Sequence, residues 1–161
     1  GADPAVVANY AGVAAAGAVA AGRSLMIWAV EDELRERQPV LTRDAAGVLL
    51  KALIGFRSEE LLVVLFLDSR SALIDHEVVA VGRPDSVDFD GRRILLRAIG
   101  RGASGIIVAH NHPSGVAEPS QADIHLTRRL REALGLVDIR VLDHVVIGDG
   151  EAVSFAERGL L

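Results

Sequence analysis

Two continuous apolar runs constrain the fold of this chain more than any other feature. The first is LLVVLFLD at Leu61–Asp68, and the second opens the segment SGIIVAHNH, which ends in polar residues at His112. Apolar runs of about four to eight residues between turn signals are typical of buried strands. The segment ALIDHEVVAVG (Ala72–Gly82) follows a turn and is the expected partner of the first run, and IRVLDHVVIG supplies a final strand pair or bent strand.

Helical segments alternate with these strands, at residues 42–55, 90–100 and 120–135. Thr42 and Ser120 are the expected N-caps, and Gly55 and Gly135 are the expected C-terminal stops. Strands that alternate with helices around apolar runs predict an α/β (α+β) domain, in which a three-layer mixed β-sheet is flanked by helices.

The N-terminal part is different in composition and is expected to be an extra helix. Residues 5–22 are interrupted by only two polar residues, Asn9 and Tyr10, and 18 residues is near the lower length limit for a membrane span. Alanine and glycine dominate the stretch, so we predict a closely packed helix that continues past Met26 and Trp28 and breaks before Pro39. We therefore divide the chain into an Ala/Gly-rich helical segment (1–38) and a compact domain (39–161), and expect a cytoplasmic protein without a membrane partner.

The absence of cysteine limits the chemistry that the chain supports. None of the 161 residues is a cysteine, which excludes disulfide scaffolds, thiolate zinc sites, iron–sulfur clusters and cysteine nucleophiles. Any metal must be held by nitrogen and oxygen. The net charge of −5 also argues against strong nonspecific binding to duplex DNA.

The most informative stretch is His110-Asn111-His112, followed by Asp123. Alternate residues of a strand share a face, so the two imidazoles point to one place at the strand end. Asp123, at the start of the next helix, adds a carboxylate oxygen. Three protein ligands with an open position are typical of catalytic zinc. Asp123 also stands three residues after Ser120, as the acidic member of a capping box does, and both interpretations stay open here.

The whole pattern, His-x-His, seven residues, Ser, two residues and Asp, matches the signature of JAB/JAMM (MPN+) metallohydrolases. The surrounding sequence resembles the RadC branch of that family. The residues that carry this resemblance are Glu60–Asp68, Arg92, His110–Gly115, Pro119-Ser120, Asp123, Thr127 and Leu142–His144. It extends over about Pro39 to Gly148.

The resemblance implies a JAB/MPN, cytidine-deaminase-like fold and a zinc metallopeptidase of the JAMM type. One zinc ion would be held by His110, His112 and Asp123, with water as the fourth ligand. Glu60 aligns with the general base that takes a proton from this water, and Ser120 would hydrogen-bond the oxyanion or the water. Glu60 is preferred to Glu59 because of its spacing to the strand. The reaction implied is hydrolysis of a peptide or isopeptide bond.

Two other functions stay open. One alternative is a nucleic-acid-associated repair or accessory module. The family has a historical association with DNA repair, and arginine rows on the second and third predicted helices of the domain are compatible with phosphate contacts. These rows are Arg93, Arg97 and Arg101, and Arg128, Arg129 and Arg131. Full RadC proteins carry an N-terminal helix-hairpin-helix that binds DNA; here GVAAAG (residues 12–17) stands in its place, as a remnant at most. The other alternative is a non-catalytic metal-binding homodimer joined through the N-terminal helix.

Two further points follow from single residues. Zinc deaminases require His-x-Glu and a cysteine pair, which this chain lacks, so deamination is excluded. His144 is either a buried histidine with satisfied hydrogen bonds or a residue that orients a ligand from behind.

Overall fold

A five-stranded mixed sheet is the centre of the described chain, which in this computed structural model comprises residues 4–36, 41–55, 57–82 and 91–161. Its helices are α1 (Pro4–Glu36), α2 (Arg43–Ile54), α3 (Gly91–Gly100) and α4 (Gln121–Gly135). Its strands are β1 (Leu61–Leu67), β2 (Leu73–Val81), β3 (Gly105–Asn111), β4 (Arg140–Ile147) and β5 (Ala152–Ser154).

The two apolar runs form neighbouring strands inside the sheet, whose order is β2-β1-β3-β4-β5. β1 pairs antiparallel with β2 and β3, and β3 pairs parallel with β4. Every residue of β1 and β3 is buried, because each has a strand on both sides and helices on both faces. The final segment is one strand, β4, and it pairs antiparallel with the short β5, which was not predicted.

The sheet separates two hydrophobic cores, as expected for three layers. Successive side chains of a strand point to opposite faces. Val63 and Leu65 of β1 therefore pack with α2, whereas Val64 and Phe66 pack with α3 and α4. The predicted α+β sheet flanked by helices is confirmed.

The predicted N-caps are confirmed, and α4 ends within one residue of the predicted position. Thr42 Oγ1 accepts a hydrogen bond from the Ala45 amide at 3.2 Å, and Ser120 caps α4 in the same way. Gly135, expected to terminate α4, is its last helical residue. The chain turns instead at Asp138, which has a φ of +58°. Aspartate tolerates this left-handed conformation better than most residues, so no glycine is needed there.

Helix α1 contacts the domain only near its C-terminal end, among the side chains that the structure describes. Ile27 and Val30 pack against the α2 core, and Glu31 Oε1 lies 2.9 Å from His76 Nδ1 on β2. Met26 and Trp28 are exposed, so the expectation of a closely packed helix is wrong here: alanine and glycine bury little apolar area, and packing is left to the few larger side chains.

None of the described helices is long and apolar enough to cross a membrane. The expected domain boundary at residues 38–39 and the expected start of α3 at Asp90 lie outside the described residues.

Candidate metal centre

The two histidines of the His-x-His motif lie side by side at the end of β3. His110 pairs with Leu62 of β1 on one side and with Val146 of β4 on the other, so the backbone is held from both directions. The Nε2 atoms of His110 and His112 are 2.9 Å apart. The predicted convergence of the two imidazoles is therefore present.

The ring of His112 is oriented by its own loop. Its Nδ1 lies 2.7 Å from the carbonyl oxygen of Val116. A carbonyl only accepts hydrogen bonds, so Nδ1 carries the proton in the neutral ring, and the lone pair of Nε2 faces His110. Metal-binding histidines very often donate their second ring N–H to a backbone carbonyl in this way.

The loop that follows His112 is fixed against the β4–β5 connection. The His112 amide donates to the carbonyl of Ile147 at 2.9 Å, and the Asp149 amide donates to the carbonyl of Gly115 at 2.8 Å. Gly148 lies so close that a Cβ there would be 2.4 Å from the Gly115 oxygen. Only glycine fits at position 148 without a steric clash. The close contact between Gly148 and Gly115 helps to hold the loop that orients His112.

Asp123 is the acidic member of the capping box, and its second carboxylate oxygen faces His110. Its Oδ2 accepts from the Ser120 amide at 2.7 Å, which completes the capping box of α4, while its Oδ1 lies 3.3 Å from His110 Nε2. Burial raises the pKa of Asp123, but its interaction with His110 and the hydrogen bonds from Ser120 outweigh it and hold the pKa well below its usual value. The buried carboxylate is therefore ionised beside the two imidazoles.

The hydroxyl group of Ser120 is hydrogen-bonded to the same carboxylate. This hydroxyl donates to Asp123 Oδ2 at 2.7 Å and accepts from the Asp123 amide at 3.2 Å. The residue lines a cleft together with His112 and Asp123. Its predicted hydrogen bond to an oxyanion or a water stays a prediction.

Of the two neighbouring glutamates before β1, Glu60 is the one that reaches the histidines. A carboxylate oxygen of Glu60 and one ring nitrogen of each of His110 and His112 lie within 4.8 Å of one another. Glu60 is half-buried, whereas Glu59 is exposed. Glu60, the glutamate preferred from its spacing to the strand, is therefore the one next to the imidazole pair. Glu77 lies elsewhere, paired with Arg97 of α3 and with Arg101.

Asn111, between the two histidines, is a site residue that sequence reasoning missed. Its side chain points to the opposite face of β3, where Oδ1 accepts from the buried Leu61 amide at 2.8 Å. Its Nδ2 donates to the carbonyls of Arg57 and Glu59 at 3.2 and 3.0 Å. The residue thus ties the segment that carries Glu60 to the strand that carries the histidines. The available signal was a polar residue between apolar neighbours on a buried strand, which requires a partner.

His144 lies directly behind His110. Its Nε2 is 2.9 Å from His110 Nδ1, its Nδ1 is 2.6 Å from Thr127 Oγ1, and its ring stacks on Phe155. Burial, with the charges of His110, lowers the pKa of His144 to about 3, so the ring is neutral at physiological pH. His144 is thus a buried histidine with satisfied hydrogen bonds, and one of its partners, His110, is a candidate metal ligand.

The site opens into a cleft of about 730 Å³, within the usual size range of small-molecule and peptide pockets. Residues from three regions of the chain line it: Glu59, Glu60, Val81, Gly82, His112, Pro113, Ser114, Ser120, Ala122 and Asp123. Four of the five predicted site residues line this cleft, and the fifth, His110, is buried behind His112.

The first arginine row is engaged within the domain. Arg101 Nη2 and Arg97 Nε lie 2.9 and 3.5 Å from Glu77, and the Arg101 guanidinium covers the ring of Phe66 at 4.5 Å. These contacts attach α3 to β2. The row on α4, Arg128, Arg129 and Arg131, is exposed, as is His125. Phosphate contacts by either row stay a prediction.

Comparison with known proteins agrees with the motif. Residues 40–160 match the family described as "RadC-like JAB domain". A UPF0758 protein of Cellvibrio japonicus is 53% identical over 123 residues, which cover 76% of this chain and 53% of the relative. A UPF0758 protein of Vibrio campbellii is 47% identical over 128 residues (80% and 57%), and one of Marinobacter nauticus 48% over 132 residues (82% and 59%). The chain therefore spans little more than half the length of these relatives.

The family match starts three residues before α2, ends at residue 160 and includes every predicted site residue. Together with identities near 50% over three quarters or more of the chain, it establishes that this protein belongs to the RadC family, with residues 40–160 as its JAB domain.

Proposed function

We propose that this domain is a zinc-dependent metallohydrolase that cleaves peptide or isopeptide bonds. The observation that carries the proposal is the convergence of His110 Nε2, His112 Nε2 and an ionised Asp123 carboxylate at the floor of a cleft, with Glu60 beside them. Membership of the JAB family supports the same chemistry.

The donor set fits a zinc ion. Two imidazole nitrogens and one carboxylate oxygen are ligands that zinc accepts, and three protein ligands leave a position for water. The lone pair of His112 Nε2 faces His110 Nε2 at 2.9 Å, next to an anionic oxygen. Such a cluster of acceptors needs a cation, which is a metal ion or, in its absence, an added proton. When bound, zinc supplies Lewis acidity that lowers the pKa of water from about 15.7 to about 7.

Glu60 is placed to move the proton. Its carboxylate lies at the wall of the cleft, beside both imidazoles, in reach of a water or a leaving group between them. In the proposed reaction it accepts a proton from the attacking water and delivers it to the departing amine, as a general base and then a general acid. The hydrogen bonds of Asn111 to the flanking backbone keep this carboxylate over the site.

Ser120 is the proposed donor to the developing oxyanion. Its hydroxyl now bonds Asp123 Oδ2, but its backbone amide bonds the same oxygen at 2.7 Å. The carboxylate therefore keeps one hydrogen bond when the hydroxyl turns to a substrate. A donor in this position contributes on the order of 3 kcal/mol to stabilising a transition state.

Metal content is the first test. We expect wild-type protein dialysed against zinc to hold one ion per chain, and His112→Ala to hold much less. His125→Ala is the matched control, because it removes an exposed imidazole two residues from Asp123 and leaves the cluster intact. A wild type that remains free of zinc would exclude the proposed metal site.

Turnover is the second test, with a library of quenched fluorescent peptides as the probe. Glu60→Gln keeps the size of the side chain but removes the base, so zinc is retained and cleavage is abolished. Glu59→Gln, an equal change one residue away, is expected to keep activity. Equal cleavage by wild type and Glu60→Gln contradicts the role assigned to Glu60.

A further inference from the structure

A buried series of hydrogen bonds connects two candidate ligands behind the site. It starts at His110 Nδ1, which is 2.9 Å from His144 Nε2, and continues from His144 Nδ1 to Thr127 Oγ1 at 2.6 Å. It ends where the Thr127 hydroxyl donates to the backbone carbonyl of Asp123 at 2.7 Å. All four residues are buried, so each of these polar atoms depends on its protein partner.

The direction of every hydrogen bond follows from the carbonyl at the end. The Asp123 carbonyl only accepts, so it takes the single hydroxyl proton of Thr127. Thr127 Oγ1 must then accept from His144, which places the His144 proton on Nδ1. With one ring proton so placed, His144 Nε2 accepts, and His110 donates from Nδ1. The lone pair of His110 Nε2 is thereby aimed at His112 and Asp123.

The surroundings of His144 agree with this arrangement. Both of its ring nitrogens already have partners, a threonine hydroxyl and an imidazole, and neither partner is a carboxylate. The ring lies flat against Phe155, with centroids 4.6 Å apart and planes 24° apart. It is held in one orientation by packing as well as by hydrogen bonds.

We propose that Thr127, acting through His144, is a positioning residue that sets the ring proton of His110 on Nδ1 and so presents Nε2 to the metal. The inference rests on the proposed zinc site and adds to it a specific determinant of metal affinity on α4. Thr127 does not touch the cleft; its effect passes through the imidazole of His144.

The experiment compares Thr127→Val with Thr127→Ser. Valine has nearly the shape of threonine but lacks the hydroxyl, so His144 Nδ1–H loses its acceptor; serine restores that acceptor. Zinc affinity, measured by competition with a chelating dye, should fall by up to about 10-fold in Thr127→Val, the lower end of the effect of removing a direct partner of a metal-binding histidine, because Thr127 acts one residue further out. Thr127→Ser should stay close to wild type. Equal affinities of wild type and Thr127→Val overturn the proposal.

Imidazole nitrogen NMR of the zinc-free protein separates this inference from the proposed function. The wild type should show the His144 proton on Nδ1 whether or not zinc ever binds. A His144 proton on Nε2 overturns the proposal even if Thr127→Val fails to fold. A wild type that has the Nδ1 proton but binds no zinc refutes the metal site while the hydrogen-bond series stands.

Discussion

Asn111→Ala is the perturbation whose size follows most directly from the structure. The change removes three hydrogen bonds between β3 and the segment that leads into β1. The Leu61 amide is buried, and leaving a buried donor unsatisfied costs about 2 kcal/mol. The carbonyls of Arg57 and Glu59 are partly open to water, which replaces the lost partner, so each adds only about 0.5 kcal/mol.

The expected loss in free energy of unfolding is therefore about 3 kcal/mol. With a urea dependence of about 2 kcal/mol per molar, the unfolding midpoint should fall by about 1.5 M. Arg128→Ala, an exposed truncation on α4, is the control and should stay within about 0.5 kcal/mol of wild type. A midpoint for Asn111→Ala within ~0.25 M of wild type would refute the role assigned to these hydrogen bonds.

The same variant separates positioning of Glu60 from assembly of the metal site. β3 remains paired with β1 and β4, so His110 and His112 keep their backbone positions, and zinc affinity should change by less than about threefold. Glu60 loses its anchor, and a displacement of about 1 Å costs on the order of 100-fold in rate. The expected result is a loss of peptide cleavage of about 100-fold at unchanged zinc content. Loss of zinc together with cleavage contradicts this separation.

Three further predictions concern stability. Gly148→Ala places a methyl group against the Gly115 carbonyl and should lower the free energy of unfolding in urea by about 1–3 kcal/mol. Gly135→Ala, in open space on α4, should raise it by about 0.5–1 kcal/mol, and equal effects of the two changes would contradict the steric role of Gly148. Arg101→Met leaves two β2 carboxylates without their main cation and should lower the melting temperature, an effect that a rise in salt reduces. Zinc at ~100 times its Kd should raise the melting temperature by about 5–10 °C in wild type and leave His112→Ala unchanged.

The local parts of the fold could be predicted because their determinants lie within a few residues. Continuous apolar runs give β1 and β3, side-chain oxygens at Thr42 and Ser120 begin two helices, and strand alternation sets His110 and His112 on one face. The end of α4 was predicted to within one residue, but the left-handed residue that follows it is Asp138 rather than Gly135.

The sequence by itself determined which chemical groups are available for a site: no thiolate, two imidazoles on one strand face, and a carboxylate at a helix start. The tertiary structure alone decided how these groups are held. Asn111 bonds a residue 50 positions away, and His110 bonds a histidine 34 positions away. Such contacts depend on the register that sets His110 opposite Leu62 and Val146, and register is a property of paired strands, which no local pattern contains.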